Sequence, residues 1–123
     1  MSMLCLASGA LVSQIAVGAF TLAWMHSIEK IRWEEDWRTE GAELVLIEGR
    51  VRGSGAGMEP PAGAKLIDGV WHYPGKLRVT ELNLAHSPFT TGYDLCSNGK
   101  CQPLAVHLRG LPEIANIRLS ACP

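Results

Sequence analysis

Residues 1–28 contain no Asp, Glu, Lys or Arg, whereas residues 29–43 carry Glu29, Lys30, Arg32, Glu34, Glu35, Asp36, Arg38, Glu40 and Glu43. This discontinuity limits what the chain can fold into. About 18 or more consecutive apolar residues make a candidate membrane span, and residues 3–25 have that length. Ser8, Gly9, Ser13, Gln14, Gly18 and Thr21 interrupt the stretch, however, and no basic residue precedes it to fix an orientation. Val17-Gly18-Ala19 has the small residues of a cleavage site that would make residues 1–19 an export signal, but the first basic residue is Lys30. The side-chain spacing favours a third reading. Phe20, Leu22, Trp24 and Ile28 share one parity while Thr21 and Ser27 occupy the other, and a period of two is a strand pattern. Ser8-Gly9 supplies a turn between Met3–Ala7 and Leu11–Val17. The charge-free start is therefore expected to be sheet, with no transmembrane helix.

The rest of the chain continues in the same style. Ile31–Arg38 alternates Ile31, Trp33, Glu35 and Trp37 with Arg32, Glu34, Asp36 and Arg38, giving one aromatic and one charged face. Gly41 ends that run, and Glu43–Arg52 follows as another strand. Leu66–Tyr73 suits a short hairpin around Asp68-Gly69. Leu77–Ala85, Tyr93–Cys96, Cys101–Leu108 and Ile114–Cys122 complete a series of short strands divided by Gly, Pro and Asn. At 123 residues and 47% hydrophobic, the chain has enough apolar material for one core, expected as a single β domain over 1–123. The expected fold class is all-β: a single-domain antiparallel β-sandwich or partly open barrel. A net charge of −1 gives no global field to recruit nucleic acid. Edge strands of an open sandwich allow pairing between copies, hence a homodimer.

Cys96-Ser97-Asn98-Gly99-Lys100-Cys101 is the strongest local signal. Asn-Gly is the preferred pair for a type I′ turn, because both central residues need positive φ. Ser97 then faces Lys100, and Cys96 faces Cys101 across a non-hydrogen-bonded pair whose Cα separation of about 4.5 Å permits a disulfide. Cys5 and Cys122 can bridge as well if the terminal strands are neighbours. An even cysteine count favours an oxidising compartment, and two reduced apolar side chains in a cytosolic hairpin are the alternative. His86 and His107 lack the spacing of a zinc finger, so neither metal nor cofactor is expected.

If Phe20–Ile28 and Ile31–Arg38 close a hairpin near Glu29-Lys30, the facing pairs are Ile28 with Ile31, His26 with Trp33, Trp24 with Glu35 and Leu22 with Trp37. His26 and Glu35 are then the two polar residues on an otherwise apolar face, about 7–8 Å apart on a diagonal. A carboxylate against Trp has its pKa raised by desolvation unless an imidazolium restores the charged form, which is how an acid–base pair is tuned. The same two residues also suit a structural hydrogen bond. The opposite face, with Ser27, Arg32, Glu29, Glu34, Asp36 and Arg38, reads as a solvated charged surface.

Gly53-Ser54-Gly55-Ala56-Gly57-Met58-Glu59-Pro60-Pro61 lacks both a following helix and the Lys-Ser/Thr of a phosphate loop. Its glycines suit tight turns, and Arg50 and Arg52 precede it with guanidinium forks suited to a small carboxylate.

His26-Ser27-Ile28-Glu29-Lys30, followed by Glu34-Glu35-Asp36-Trp37, resembles the His-Ser-x-Glu-Lys…Glu signature of a bacterial family of small proteins of unknown function. The Gly55-Ala56-Gly57 run followed by prolines is similar to that family's second signature. The resemblance covers nearly the whole chain. It implies a gene neighbourhood shared with TRAP-type transporters of the TAXI class, and so a role accessory to solute uptake. The positions that match are His26, Ser27, Glu29, Lys30, Glu34 or Glu35, Gly55 and Gly57. Family and cysteines together imply the periplasmic side; a complete, unprocessed chain implies the cytoplasm.

Two functions follow as expectations. In the first, an accessory binding module uses His26, Ser27, Glu29, Lys30, Glu34, Arg50, Arg52, Gly55 and Gly57 to hold a small anionic solute or a transporter component. In the second, a small hydrolase uses His26 and Glu35 as acid and base. The lack of a nucleophile elbow, nucleotide motif or metal spacing favours the first.

Overall fold

The computed structural model describes residues 2–25, 31–52, 63–89 and 92–122. The described part of the charge-free start, residues 2–25, is largely sheet, in keeping with its alternation. Leu4–Ser8 (β1) and Leu11–Ile15 (β2) form a hairpin, and Ala19–Met25 (β3) follows. Gly9 sits in that hairpin turn at φ +57°, a region most other side chains avoid. Arg32–Glu40 (β4) and Glu43–Arg52 (β5) are joined at Gly41-Ala42. Lys65–Ile67 (β6) and Val70–Pro74 (β7) pair across Asp68-Gly69, the expected hairpin. Arg78–Val79 (β8), Glu81–His86 (β9), Asp94–Ser97 (β10), Lys100–Pro103 (β11) and Ala115–Ala121 (β12) complete the strands.

Two antiparallel sheets result. The smaller has the order β2-β1-β12-β9 and the larger β11-β10-β3-β4-β5-β7-β6, with β8 also pairing with β5. Neither closes on itself, so of the two expected architectures the open sandwich is the one formed. No helix among the described residues is long and apolar enough to cross a membrane.

Two expected strands are divided in the structure. Leu77–Ala85 becomes β8, which pairs with β5 in the larger sheet, and β9, which pairs with β12 in the smaller, so the chain changes layer at Thr80. Cys101–Leu108 ends as a strand at Pro103, which has no N–H to continue the ladder. Leu104–His107 then forms a single 3₁₀ turn, and the Leu104 N–H donates to the Tyr93 carbonyl at 2.8 Å.

The core lies between the sheets. Leu4, Leu6, Leu84, Ile117 and Leu119 from the smaller sheet meet Phe20, Leu22, Trp37, Leu44, Leu46 and Leu95 from the larger, with Leu104 and Leu108 closing one end. A bulge sets the β5 contribution: Asp36 pairs with Glu48 but Trp37 pairs with Leu46, so Ile47 is extra. The bulge resets the alternation, placing Leu44 and Leu46 inward on one side of it and Gly49 and Val51 inward on the other.

Both cysteine pairs are bridged. Cys96 and Cys101 face each other in the Asn98-Gly99 hairpin, with Cα atoms 4.0 Å apart, and Asn98 and Gly99 have φ of +51° and +78°. Cys5 and Cys122 are joined across the β1–β12 pair at a Cα separation of 5.4 Å.

Candidate functional site

β4 separates two chemistries by alternation alone. Trp33, Glu35 and Trp37 face the interlayer side, whereas Arg32, Glu34, Asp36 and Arg38 face outward. The β3–β4 register differs from the expected one. Phe20 pairs with Trp37, Leu22 with Glu35 and Trp24 with Trp33, in place of Leu22 with Trp37 and Trp24 with Glu35. The shift is two residues, so every side chain keeps its face while its neighbours change. Two features favour the observed pairing: the Trp24 and Trp33 rings stack at 6.2 Å, and Thr21 Oγ1 donates to Asp36 Oδ1 at 2.7 Å. The expected partners His26 and Ile28 lie outside the described residues. Trp24 occupies the position diagonal to Glu35 that the expected register gave to His26.

The inward face therefore carries a transverse row from Leu95 through Leu22, Glu35 and Gly49 to Tyr73. The next row runs from Trp24 through Trp33 and Val51 to Trp71. Each row mixes buried and half-buried side chains: Leu95, Leu22 and Val51 are buried, whereas Glu35, Tyr73, Trp24, Trp33 and Trp71 are half-buried. Gly49 is needed for its missing side chain, since a Cβ there would lie 2.0 Å from the Tyr73 ring, which crosses the glycine at its hydroxyl end. Tyr93, brought alongside by β10, packs against Trp24 with ring centres 5.4 Å apart.

Glu35 is the carboxylate of this surface. Its Oε1 accepts from Trp37 Nε1 at 3.2 Å, and no cation pairs with it among the described residues. Burial raises its carboxyl above the ordinary range, with the Trp37 bond opposing. Tyr73 and Tyr93 are raised too, by burial first and then by the negative charge of Glu35, which places both phenols within its field. Trp33 Nε1 is sealed from solvent and has no hydrogen-bond partner among the described residues.

On the outward face, Arg50 is the centre of an ion-pair network. Arg50 of β5 donates from Nε to Glu34 at 3.2 Å, from Nη1 to Asp36 at 2.6 Å and Glu48 at 2.8 Å, and from Nη2 to Asp36 at 2.8 Å. Arg32 Nε adds a second bond to Glu34 at 3.1 Å, and His72 Nδ1 lies 3.3 Å from Glu48. Arg50 holds the Asp36 carboxyl below its ordinary value against burial, and Thr21 helps. Burial would raise Glu34, but Arg50 and Arg32 together reverse it. Arg50 itself is raised, chiefly by Asp36. A small cavity of about 130 Å³ lies beside this network, lined by Arg32, Glu34, Arg50, Arg52, Val70 and His72.

The expected site residues thus divide. His26, Ser27, Glu29, Lys30, Gly55 and Gly57 lie outside the described residues. Glu34, Arg50 and Arg52 come together at the small cavity, but the Arg50 fork expected for a carboxylate ligand is spent on Glu34, Asp36 and Glu48. Arg52 makes no ion pair among the described residues. Glu35 lies on the opposite side of the sheet from these three. Reading along the chain missed Asp36, Glu48 and His72 as partners of Arg50, and Gly49, Tyr73 and Tyr93 as neighbours of Glu35. Glu48 and Arg50 do share one parity of β5, a signal present in the sequence. Tyr93 has no such signal, because sheet order alone brings β10 beside β3. Among the described residues, no three His, Cys, Asp or Glu side chains converge as metal ligands.

A family model described as "Domain of unknown function (DUF1850)" matches residues 20–104, more than half of the chain. The match runs from Phe20 in β3 to Leu104 beyond β11, so it takes in both faces of β4 and the Cys96–Cys101 bridge, while β1, β2 and β12 fall outside it. No curated protein and no solved structure matches the chain.

Proposed function

Starting from the chain's membership of the DUF1850 family, we propose that it is a bacterial non-catalytic binding module. It acts outside the cytoplasm as an accessory to TRAP-TAXI solute uptake, and its partner is a transporter component. The observation that carries this reading is the surface around Glu35. A half-buried carboxylate flanked by Trp24, Trp33, Tyr73 and Tyr93 is a costly arrangement for the fold alone, and aromatic side chains of this kind are favoured at binding surfaces. The two disulfides support the compartment, since such bridges persist in oxidising surroundings.

Arg50 is less suited to the binding surface, since its donors already serve three carboxylates. A small anion at that guanidinium would have to displace them. The hydrolase alternative rests on His26, which lies outside the described residues; the diagonal position expected for it next to Glu35 is taken by Trp24.

The test is direct binding between the purified protein and the TAXI-class receptor of the neighbouring transporter, in solute-loaded and solute-free forms. Saturable association that Trp33→Ala weakens is expected. An absence of association with either receptor form overturns the reading. Mass measurement after thiol alkylation should show no label before reduction and labelling of all four cysteines after it.

A further inference from the structure

We propose that the Glu35 surface is a receptor for an organic cation, an alkylammonium or guanidinium head group. This rests on the reading above only in using the same surface. The chemistry follows from what the surface holds. A carboxylate that accepts a single bond from a neutral indole has no cationic partner among the described residues, and burial disfavours its charged form, which a bound cation would restore. Trp24 and Trp33, stacked at 6.2 Å, and Tyr93, at 5.4 Å from Trp24, present π-electron density beside it. Electron-rich faces and a carboxylate both attract a cation, and partial desolvation strengthens each attraction. An anion would meet repulsion from Glu35, and a neutral apolar group would leave its charge unpaired.

Gly49 keeps the surface low. Any side chain there would stand where the Tyr73 ring now crosses toward Glu35. The outward face of β4 offers no equivalent, because Glu34 and Asp36 are already matched by Arg50.

Such a head group has two sources: a free organic cation, or a Lys or Arg side chain of a protein partner. Titration with tetramethylammonium chloride, n-butylammonium chloride and N-acetyl-lysine methylamide, against sodium chloride at equal ionic strength, addresses both. The readouts are tryptophan fluorescence and the indole N–H NMR signals. Saturable shifts of the Trp24 and Trp33 signals are expected with at least one cation and not with sodium. Glu35→Gln should weaken that binding by about tenfold or more, while Glu81→Gln, which removes the same charge from the smaller sheet, should leave it unchanged. Preference for the lysine amide points to a partner's side chain, and preference for the free ammonium salts points to a solute.

Equal cation affinity in wild type and Glu35→Gln overturns the inference, as does no saturable shift up to about 100 mM. Thermal unfolding of Glu35→Gln checks that it folds. Receptor association, measured on the same variant, separates the two proposals. If the receptor binds and cations do not, the cation site falls and the accessory role stands. If cations bind and the receptor does not, the reverse holds.

Discussion

Glu34, Glu35 and Asp36 are adjacent in the chain, yet they end in opposite electrostatic situations. Glu34 and Asp36 face outward onto Arg50 and are held below the ordinary carboxyl range. Glu35 faces inward among aromatic rings and is pushed above it. One residue of displacement along a strand exchanges a guanidinium for an indole as the nearest partner. The outward face is a closed network that stabilises the pairing of β4 with β5. The inward face leaves Glu35 without a cationic partner among the described residues, and a group that strains the fold is where binding is to be sought.

The largest effect should come from opening the closed face. Arg50→Ala leaves Glu34, Asp36 and Glu48 facing one another, and a loss of about 3 kcal/mol is expected by denaturant unfolding, the low end for a broken buried pair because these groups are partly solvated. A loss under about 0.5 kcal/mol would reduce the network to an ordinary surface array.

On the inward face, Gly49→Ala drives a methyl group into the Tyr73 ring and should cost about 2 kcal/mol, by the usual magnitude for overpacking. Tyr73 fluorescence or NMR shifts should report the displaced ring. Smaller again is Thr21→Val, which removes the hydroxyl bonded to Asp36 and should cost about 1 kcal/mol. That loss should depend on pH. The depressed Asp36 contributes stability above its unfolded value of about 3.9 and loses it as pH falls through the lower folded value.

Glu35→Gln should have the smallest effect and the opposite sign. Its folded pKa is raised, so the native state is favoured while the group is protonated, and stability declines as pH rises from about 4.3 through the folded value. The amide removes that decline, and a gain of about 0.5 kcal/mol at neutral pH is expected after solvent screening. The gain should vanish in acid. A loss of stability at neutral pH would instead make Glu35 a structural residue and erase the contrast between the two faces.

Much of this was legible along the chain. Alternation from Phe20 through Arg38 separates aromatic from charged residues before any partner is known, because successive side chains on a strand must point to opposite sides. Asn98-Gly99 fixes its own hairpin, since only a few residue types accept positive φ, and that local geometry sets Cys96 opposite Cys101. The all-β class follows from the same short-range rules.

Tertiary structure alone decided the neighbours. A pattern of period two is unchanged by a two-residue slip, so sequence placed Glu35 on the right face but opposite Trp24 instead of Leu22. The bulge at Ile47 has no marker in Leu44-Val45-Leu46-Ile47, because an apolar run fits either parity. Arg50 reaches Asp36, and Tyr93 reaches Trp24, through strand order and register, which depend on how distant segments share one core. The sequence by itself determined which residues share a face; only the packed sheets decided which of them touch.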